Sequence, residues 1–237
     1  MSRYACHDRP DETTFETEII GTEPGAVLLR ESLFYPGGGG QLADRGRLVT
    51  PQGEFSVTTI EMRGHNAWHR FSQPVELHGT VQGRVDASFR HLMCQLHTDL
   101  HVVNALVFNA FDGALVTGVQ MGDDGTARID FDLPDADNDR IRALEPAVND
   151  AIRSDLRVST TYASPQRLHT EAGLLRSRSV APPPQPDGSV RIVAIAGLDE
   201  QACGGTHLSS TGQSRPVRLL KIENKGRHNR RVRIGLA

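Results

Sequence analysis

The chain has 237 residues, 38% of them hydrophobic and 23% charged, the composition of a globular protein with one large or two modest domains and a real core. No stretch approaches the roughly 18–20 apolar residues of a membrane span. A formal net charge of −3 argues against a DNA coat or a membrane-surface protein. Three cysteines, Cys6, Cys94 and Cys203, form an odd set with no sign of a disulfide framework. The opening MSRYACHDRPDETT lacks the apolar core of a secretory signal, so a reduced, cytoplasmic setting is expected.

From about residue 14 to 85, short β-prone runs alternate with turn signals. Strands are predicted at 26–35, 45–50 and 54–62, broken by Pro-Gly, Gly-Gly and Gln-Gly, which together suggest a small antiparallel sheet or barrel. From Phe89 to Phe111 the period changes. Phe89, Leu92, Met93, Leu96, Leu100, Val103 and Val107 recur at three- and four-residue spacing, which predicts an amphipathic helix. ARIDFDL (127–133) reads as a strand, and 137–155 as one helix with Asp137 or Asn138 as its N-cap. APPPQPDG (181–188) reads as an extended loop without assignable chemistry. VRIVAIAG (190–197) reads as a buried strand running straight into Cys-Gly-Gly-Thr-His, and 217–236 as a hairpin turning near Lys225-Gly226. The expected fold class is α+β: a barrel-like β-rich domain over residues 1–85, then an α/β core over 86–237.

Within the long helix, LHTDLH places His97 and His101 at i and i+4, on one face with Cβ atoms about 5–6 Å apart. A second H-x-x-x-H pair, His65 and His69, falls in the β-rich region, where i and i+4 lie about 13 Å apart and no single metal reaches both. Those two are read as ordinary sheet residues. In DEQACGGTHLSS (199–210), Gly204 and Gly205 let the backbone bend tightly, so that Cys203 and His207 point at one centre. His97, His101, Cys203 and His207 together make a complete tetrahedral His3Cys set for zinc.

FYPGGGGQLADRG (34–46), HTDLH (97–101) and CGGTH (203–207) stand in the order found in the editing domain of alanyl-tRNA synthetases. The chain resembles the free-standing alanyl-tRNA editing proteins of the AlaX type, in their medium-length form. The editing domain of threonyl-tRNA synthetase is a more distant likeness. The resemblance runs from about residue 14 to the C-terminus and takes in IDFDL, VRIVAIAG and KGRHNRRVRIGL.

The resemblance implies that 86–237 is a zinc-dependent editing core, without room for an aminoacylation domain, whose partner is mischarged alanine tRNA. It implies hydrolysis of the ester that joins serine, or sometimes glycine, to the 3′ end of that tRNA. His97, His101, Cys203 and His207 would then hold Zn2+ and form the catalytic set together with Gln41. Four protein ligands fill the coordination shell, so either one ligand is labile, the shell expands, or the metal mainly organises the pocket. Gln41 would hydrogen-bond the ester or sugar at the end of the glycine run, while Asp44 and Gly46 fix that turn. Alanine is smaller than serine, so selectivity needs a hydroxyl reader. Thr117, or alternatively Thr98, is the candidate. Asp99 departs from the small or apolar residue expected between the two histidines; it is expected to face solvent, the alternative being that it supports a metal ligand.

The C-terminal segment from Arg215 carries eight basic residues against the single acid Glu223. Lys221, Lys225, Arg227, Arg230 and Arg231 are the candidates for tRNA phosphate contacts. The alternatives are editing of seryl-tRNA for threonine, a non-catalytic zinc-stabilised RNA-binding module, and a protein-interaction domain with a vestigial site.

Overall fold

A computed structural model describes residues 4–134, 137–171, 173–178, 182 and 184–237. After one helical turn, α1 (Ala5–Asp8), come six strands: β1 (Thr14–Glu23), β2 (Ala26–Leu29), β3 (Gly46–Thr50), β4 (Gly53–Arg63), β5 (Asn66–Phe71) and β6 (Thr80–Val85). They close into a barrel of order β1-β2-β5-β4-β3-β6 with every pairing antiparallel, as expected of the β-rich region. Period-two alternation dictates the closure. Along β1, Phe15, Thr17 and Ile19 are buried, whereas Glu16, Glu18 and Ile20 face outward. Val27, Leu48, Val57, Phe71, Val81 and Val85 join them in the core, each worth about 1.5–3 kcal/mol of apolar burial.

The strand expected at 26–35 ends at Leu29. Leu33, Phe34 and Tyr35 are buried all the same, because side chains satisfy their backbone in place of a neighbouring strand. The Tyr35 amide donates to Asp44 Oδ2 at 2.6 Å, and Arg90 donates to the Leu33 carbonyl at 2.6 Å. Asp44 and Arg90 are themselves paired and buried, so Asp44 anchors the turn.

His65 lies in the turn between β4 and β5, and His69 lies on β5 without exposed surface. The His69 Nε2 pairs with Ser32 Oγ at 2.8 Å, and its ring meets Phe34 edge-on. Burial lowers the His69 pKa from 6.5 to about 4. The unfolded chain thus takes up a proton near pH 6.5 that the folded chain refuses until about pH 4. Above pH 6.5 this residue costs nothing. Between those values stability falls with pH, and below pH 4 the loss levels off at about 3 kcal/mol. His69→Gln should flatten this part of the profile of unfolding free energy against pH, measured in urea. An unchanged profile would assign the acid sensitivity to other groups.

The barrel belongs to one compact unit that includes Leu42–His91, and the second unit comprises Gly39–Gln41 and Leu92–Ala237. The long helix α2 (Ala87–Ala110) starts where Asp86 Oδ1 accepts from the Phe89 amide at 3.0 Å, an N-cap. After it come β7 (Val116–Met121), β8 (Thr126–Asp132), α3 (Asn138–Arg142), α4 (Glu145–Arg153), β9 (Val158–Ala163) and α5 (Pro165–Thr170). The chain continues with β10 (Val190–Ile195), β11 (Asp199–Ala202), β12 (Val217–Lys225) and β13 (Asn229–Leu236). These strands form two antiparallel sheets, β12-β13-β8-β7 and β11-β10-β9. Among the described residues no helix is long and apolar enough to cross a membrane.

Three further expectations need correction. The helix predicted over 137–155 is two helices, because Pro146 has no N–H to continue the ladder back to Arg142. Asp137 caps the first of them, accepting from the Asp139 amide at 2.9 Å. The strand β10 does not run straight into the Cys-Gly-Gly-Thr-His turn. It folds back through β11, pairing Ile192 with Ala202 and Ile195 with Asp199. Lastly, α2 is not amphipathic in its surroundings, since every residue from 93 to 105 is buried. Its polar side chains are inside because each has a task there. Ala181 and Pro183 of the proline-rich run lie outside the described residues.

Candidate metal centre

His97 and His101 project from α2, while Cys203 and His207 come from the loop that follows β11. The ligand atoms of all four lie within 4.8 Å of one another, and all four side chains are buried. Cys203 Sγ is 3.3 Å from His97 Nε2 and 3.3 Å from His207 Nε2. The ring centroids of His207 stand 4.4 Å from those of His97 and 4.5 Å from those of His101. A tetrahedral metal with bonds of about 2.0–2.3 Å sets its donors roughly 3.3–3.7 Å apart. The sulfur–nitrogen spacing already matches. This His3Cys cluster fits a metal ion.

Each imidazole has its other nitrogen engaged. His97 Nδ1 is 2.8 Å from Gln41 Oε1, His101 Nδ1 is 3.0 Å from Asp199 Oδ2, and His207 Nδ1 is 3.2 Å from Thr98 Oγ1. An Nδ1–H that donates outward leaves the Nε2 lone pair turned inward, the form a metal needs. The Gln41 amide is oriented by its own bonds: Oε1 also accepts from the Thr206 amide at 3.0 Å, and Nε2 donates to Thr206 Oγ1 at 2.8 Å. Thr98 Oγ1 likewise accepts from the Leu208 amide at 3.1 Å. Gln41 and Thr98 are therefore fastened to the donors themselves.

Burial opposes ionisation of Cys203, yet the imidazoles of His97, His207 and His101 outweigh it and hold the thiol well below its ordinary pKa. The thiolate is the ligating form. For His101, burial works against protonation, but Cys203 and Asp199 overcome it and raise the pKa to about 9. Burial and the neighbouring His97 push His207 the other way, well below 6.5.

Backbone placement depends on two glycines and one arginine. A Cβ on Gly205 would meet His97 Cε1 at 2.0 Å, so the turn needs glycine there for close approach, and neither Gly204 nor Gly205 has a positive φ. At Gly40, with φ +83°, a Cβ would meet the Val119 carbonyl oxygen at 2.6 Å, and its own carbonyl accepts from the Met121 amide at 2.8 Å. That contact seats the residue before Gln41 on β7. Arg191, 2% exposed, donates to the carbonyls of Gly205 at 2.7 Å and Cys203 at 3.3 Å. Its side chain ties β10 to the ligand loop.

Other expected site residues lie elsewhere. Asp99 does not face solvent: it is fully buried, and its Oδ2 accepts from Ser214 Oγ at 2.8 Å. A helix enclosed on every side has no solvent edge to offer it. Burial raises its pKa to about 7, against the opposing pull of Ser214 and Arg215. Thr117, on β7, is half-buried, and its hydroxyl donates to Asn229 Oδ1 at 3.2 Å. Lys221, Lys225 and Arg227 are exposed on the terminal hairpin. Arg230 is buried, and Arg231 reaches both oxygens of Asp130 at 2.8 Å. Sequence reasoning missed Asp199, Arg191 and Thr206. No local signal marks Asp199, whose place follows from the pairing of β11 with β10.

Comparison with known proteins shows the family to which the chain belongs. A family model described as the threonyl and alanyl tRNA synthetase second additional domain matches residues 190–233, and one described as tRNA synthetases class II (A) matches residues 5–89. The alanyl-tRNA editing protein AlaX-M of Saccharolobus solfataricus is 34% identical over 223 residues, 92% of each chain. That of Methanosarcina barkeri is 33% identical over 235 residues, 96% of this chain and 94% of the relative. The alanine–tRNA ligase of Methanothrix thermoacetophila is 30% identical over 91% of this chain, which spans 23% of the ligase. The chain belongs to the alanyl-tRNA editing protein family.

Proposed function

We propose that the protein is a cytoplasmic trans-editing hydrolase that removes serine, and also glycine, from mischarged alanine tRNA at a zinc held by His97, His101, Cys203 and His207. The observation that carries this reading is the convergence of three imidazole nitrogens and one sulfur within 4.8 Å, each imidazole fixed through its second nitrogen. The names of the relatives supply the substrate class. Zinc in such a set provides Lewis acidity toward an ester carbonyl or a water. Hydrolysis adds water across the ester, releasing the free amino acid and restoring the ribose hydroxyl. Gln41 serves this by holding His97 and the Thr206 backbone in register. Thr117 is the proposed reader of the serine hydroxyl, since Thr98 is committed to His207 and Leu208.

Lys221, Lys225 and Arg227 are the proposed phosphate contacts, and Arg230 and Arg231 shape the strand that presents them. Replacing Lys225 and Arg227 by alanine should weaken tRNA binding and lower its salt slope by about one to two ions, while cleavage of an aminoacyl-adenosine mimic stays unchanged. Equal losses on both substrates would place these side chains in the reaction itself.

The deciding experiment follows ester loss from seryl-, glycyl- and alanyl-tRNA for alanine and from seryl-tRNA for threonine. Serine should leave the alanine tRNA while alanine stays. Cleavage confined to the threonine tRNA would move the activity to that substrate. A second reading, a zinc-stabilised RNA-binding module, is favoured by the closed four-donor set, which is the structural form. Its mark is metal-loaded protein that binds tRNA and cleaves none of the four.

A further inference from the structure

On the reading that the four donors hold a metal, we propose that Asp199 and Arg176 form a charged brace that positions His101 and sets the strength of its bond to the metal. The three imidazoles differ in what their Nδ1 meets. His97 meets a neutral amide oxygen and His207 a hydroxyl, whereas His101 meets a carboxylate. A carboxylate acceptor draws the shared proton away and makes the opposite nitrogen a stronger donor, an effect the neutral partners exert more weakly.

That carboxylate is wholly buried, so its charge needs partners. Arg176 Nη1 stands 2.7 Å from Asp199 Oδ1, with side-chain exposures of 11% and 0%. Gln201 Nε2 donates to Asp199 Oδ2 at 2.7 Å, and Gln201 Oε1 in turn accepts from Asn104 Nδ2 at 3.1 Å. Arg176 is fixed on three sides. Its guanidinium lies 4.3 Å over the Phe108 ring, two helical turns beyond His101 on α2. Its Nε donates to the Gly173 carbonyl at 3.1 Å, and its own carbonyl accepts from the Val116 amide at 2.8 Å, where β7 begins. The helix that carries His101 thus also carries the aromatic platform for the arginine that steadies its partner. A loop residue with no motif of its own becomes part of the metal centre.

The test uses the full chain loaded with Co2+ or Zn2+. Wild-type protein should show a thiolate-to-cobalt absorption band that Cys203→Ala lacks. Absence of that band in the wild type would remove the metal reading and this proposal with it. Given the band, Asp199→Asn and Arg176→Gln should each keep one metal per chain but lose about 10–100-fold in affinity by chelator competition, with shifted cobalt ligand-field bands. Unchanged affinity and spectrum in both variants would overturn the brace and leave the metal site standing. A measurement on zinc-loaded wild type avoids any folding defect of the variants. Among the three ligand Nδ1–H protons, that of His101 should resonate furthest downfield, because only it faces a carboxylate. If it falls among the other two, the proposal fails.

Discussion

Cys203→Ala is expected to leave a folded protein that retains no stoichiometric zinc and no deacylase activity. The change removes the sulfur donor of the set, which sits 3.3 Å from the Nε2 atoms of both His97 and His207. Three imidazoles without the thiolate lose the negative charge that offsets a divalent cation in a buried site, where the penalty for uncompensated charge is steep. Metal binding also draws on deprotonation of that thiol, a step the surrounding imidazoles already favour. The loss should therefore be near complete in both metal content and rate. Two controls bracket it. His65→Ala, in the turn of a barrel hairpin, should leave the metal stoichiometry untouched. Circular dichroism of Cys203→Ala should show the barrel intact, because among the described residues the barrel core is built from residues 15–85. Metal retained at one equivalent with wild-type activity would remove Cys203 from the site.

The convergence of His97, His101, Cys203 and His207 was legible in the sequence because its signals are local. An i, i+4 histidine pair declares itself wherever a helical period is present, and a cysteine and histidine separated by two glycines and a threonine must lie on a turn. The barrel was legible for the same reason, through period-two patterning such as that of β1. What escaped was whatever depends on who lies opposite. Asp99 reads as a surface acid on a helix with an apolar stripe, and only the enclosure of α2 on all sides turns it inward to Ser214. Asp199 carries no motif of its own, and only the return of β11 along β10 brings it to His101 across a gap of 98 residues. Arg230 and Arg231 read as free positive charge, and only the pairing of β13 with β8 sets Asp130 beside Arg231. Helix packing decides the first of these and strand pairing the other two, and both depend on partners far away in the chain.

Gly204→Ala and Gly205→Ala should have opposite outcomes, although the two residues are adjacent in one turn and neither needs a left-handed backbone. Among the described residues, an added methyl at Gly204 finds nothing nearer than Pro182 Cβ at 3.8 Å, an ordinary van der Waals contact. At Gly205 it would lie 2.0 Å from Cε1 and 2.2 Å from Nδ1 of His97, and 2.8 Å from Gln41 Oε1. The His97 ring has no room to yield. Gln41 holds its Nδ1, Cys203 faces its Nε2, and the ring is buried on a helix with no exposed side at that level. Nor does the backbone give easily, since Arg191 binds the Gly205 carbonyl at 2.7 Å and Gln41 binds the next amide at 3.0 Å. Overpacking of this kind costs on the order of 1–3 kcal/mol in a core, and here the strain falls on a ligand ring whose aim sets the metal affinity. Gly205→Ala should thus lower zinc affinity by about 100-fold or more, beyond the range of a change outside the ligand set, and should abolish deacylation. Gly204→Ala should match the wild type within about 0.5 kcal/mol in stability and retain its zinc. Chelator competition on both variants, with thermal unfolding as the check on folding, separates the two. If Gly205→Ala binds zinc as the wild type does, the His97 ring does not occupy the place against the turn from which its role as a ligand is argued.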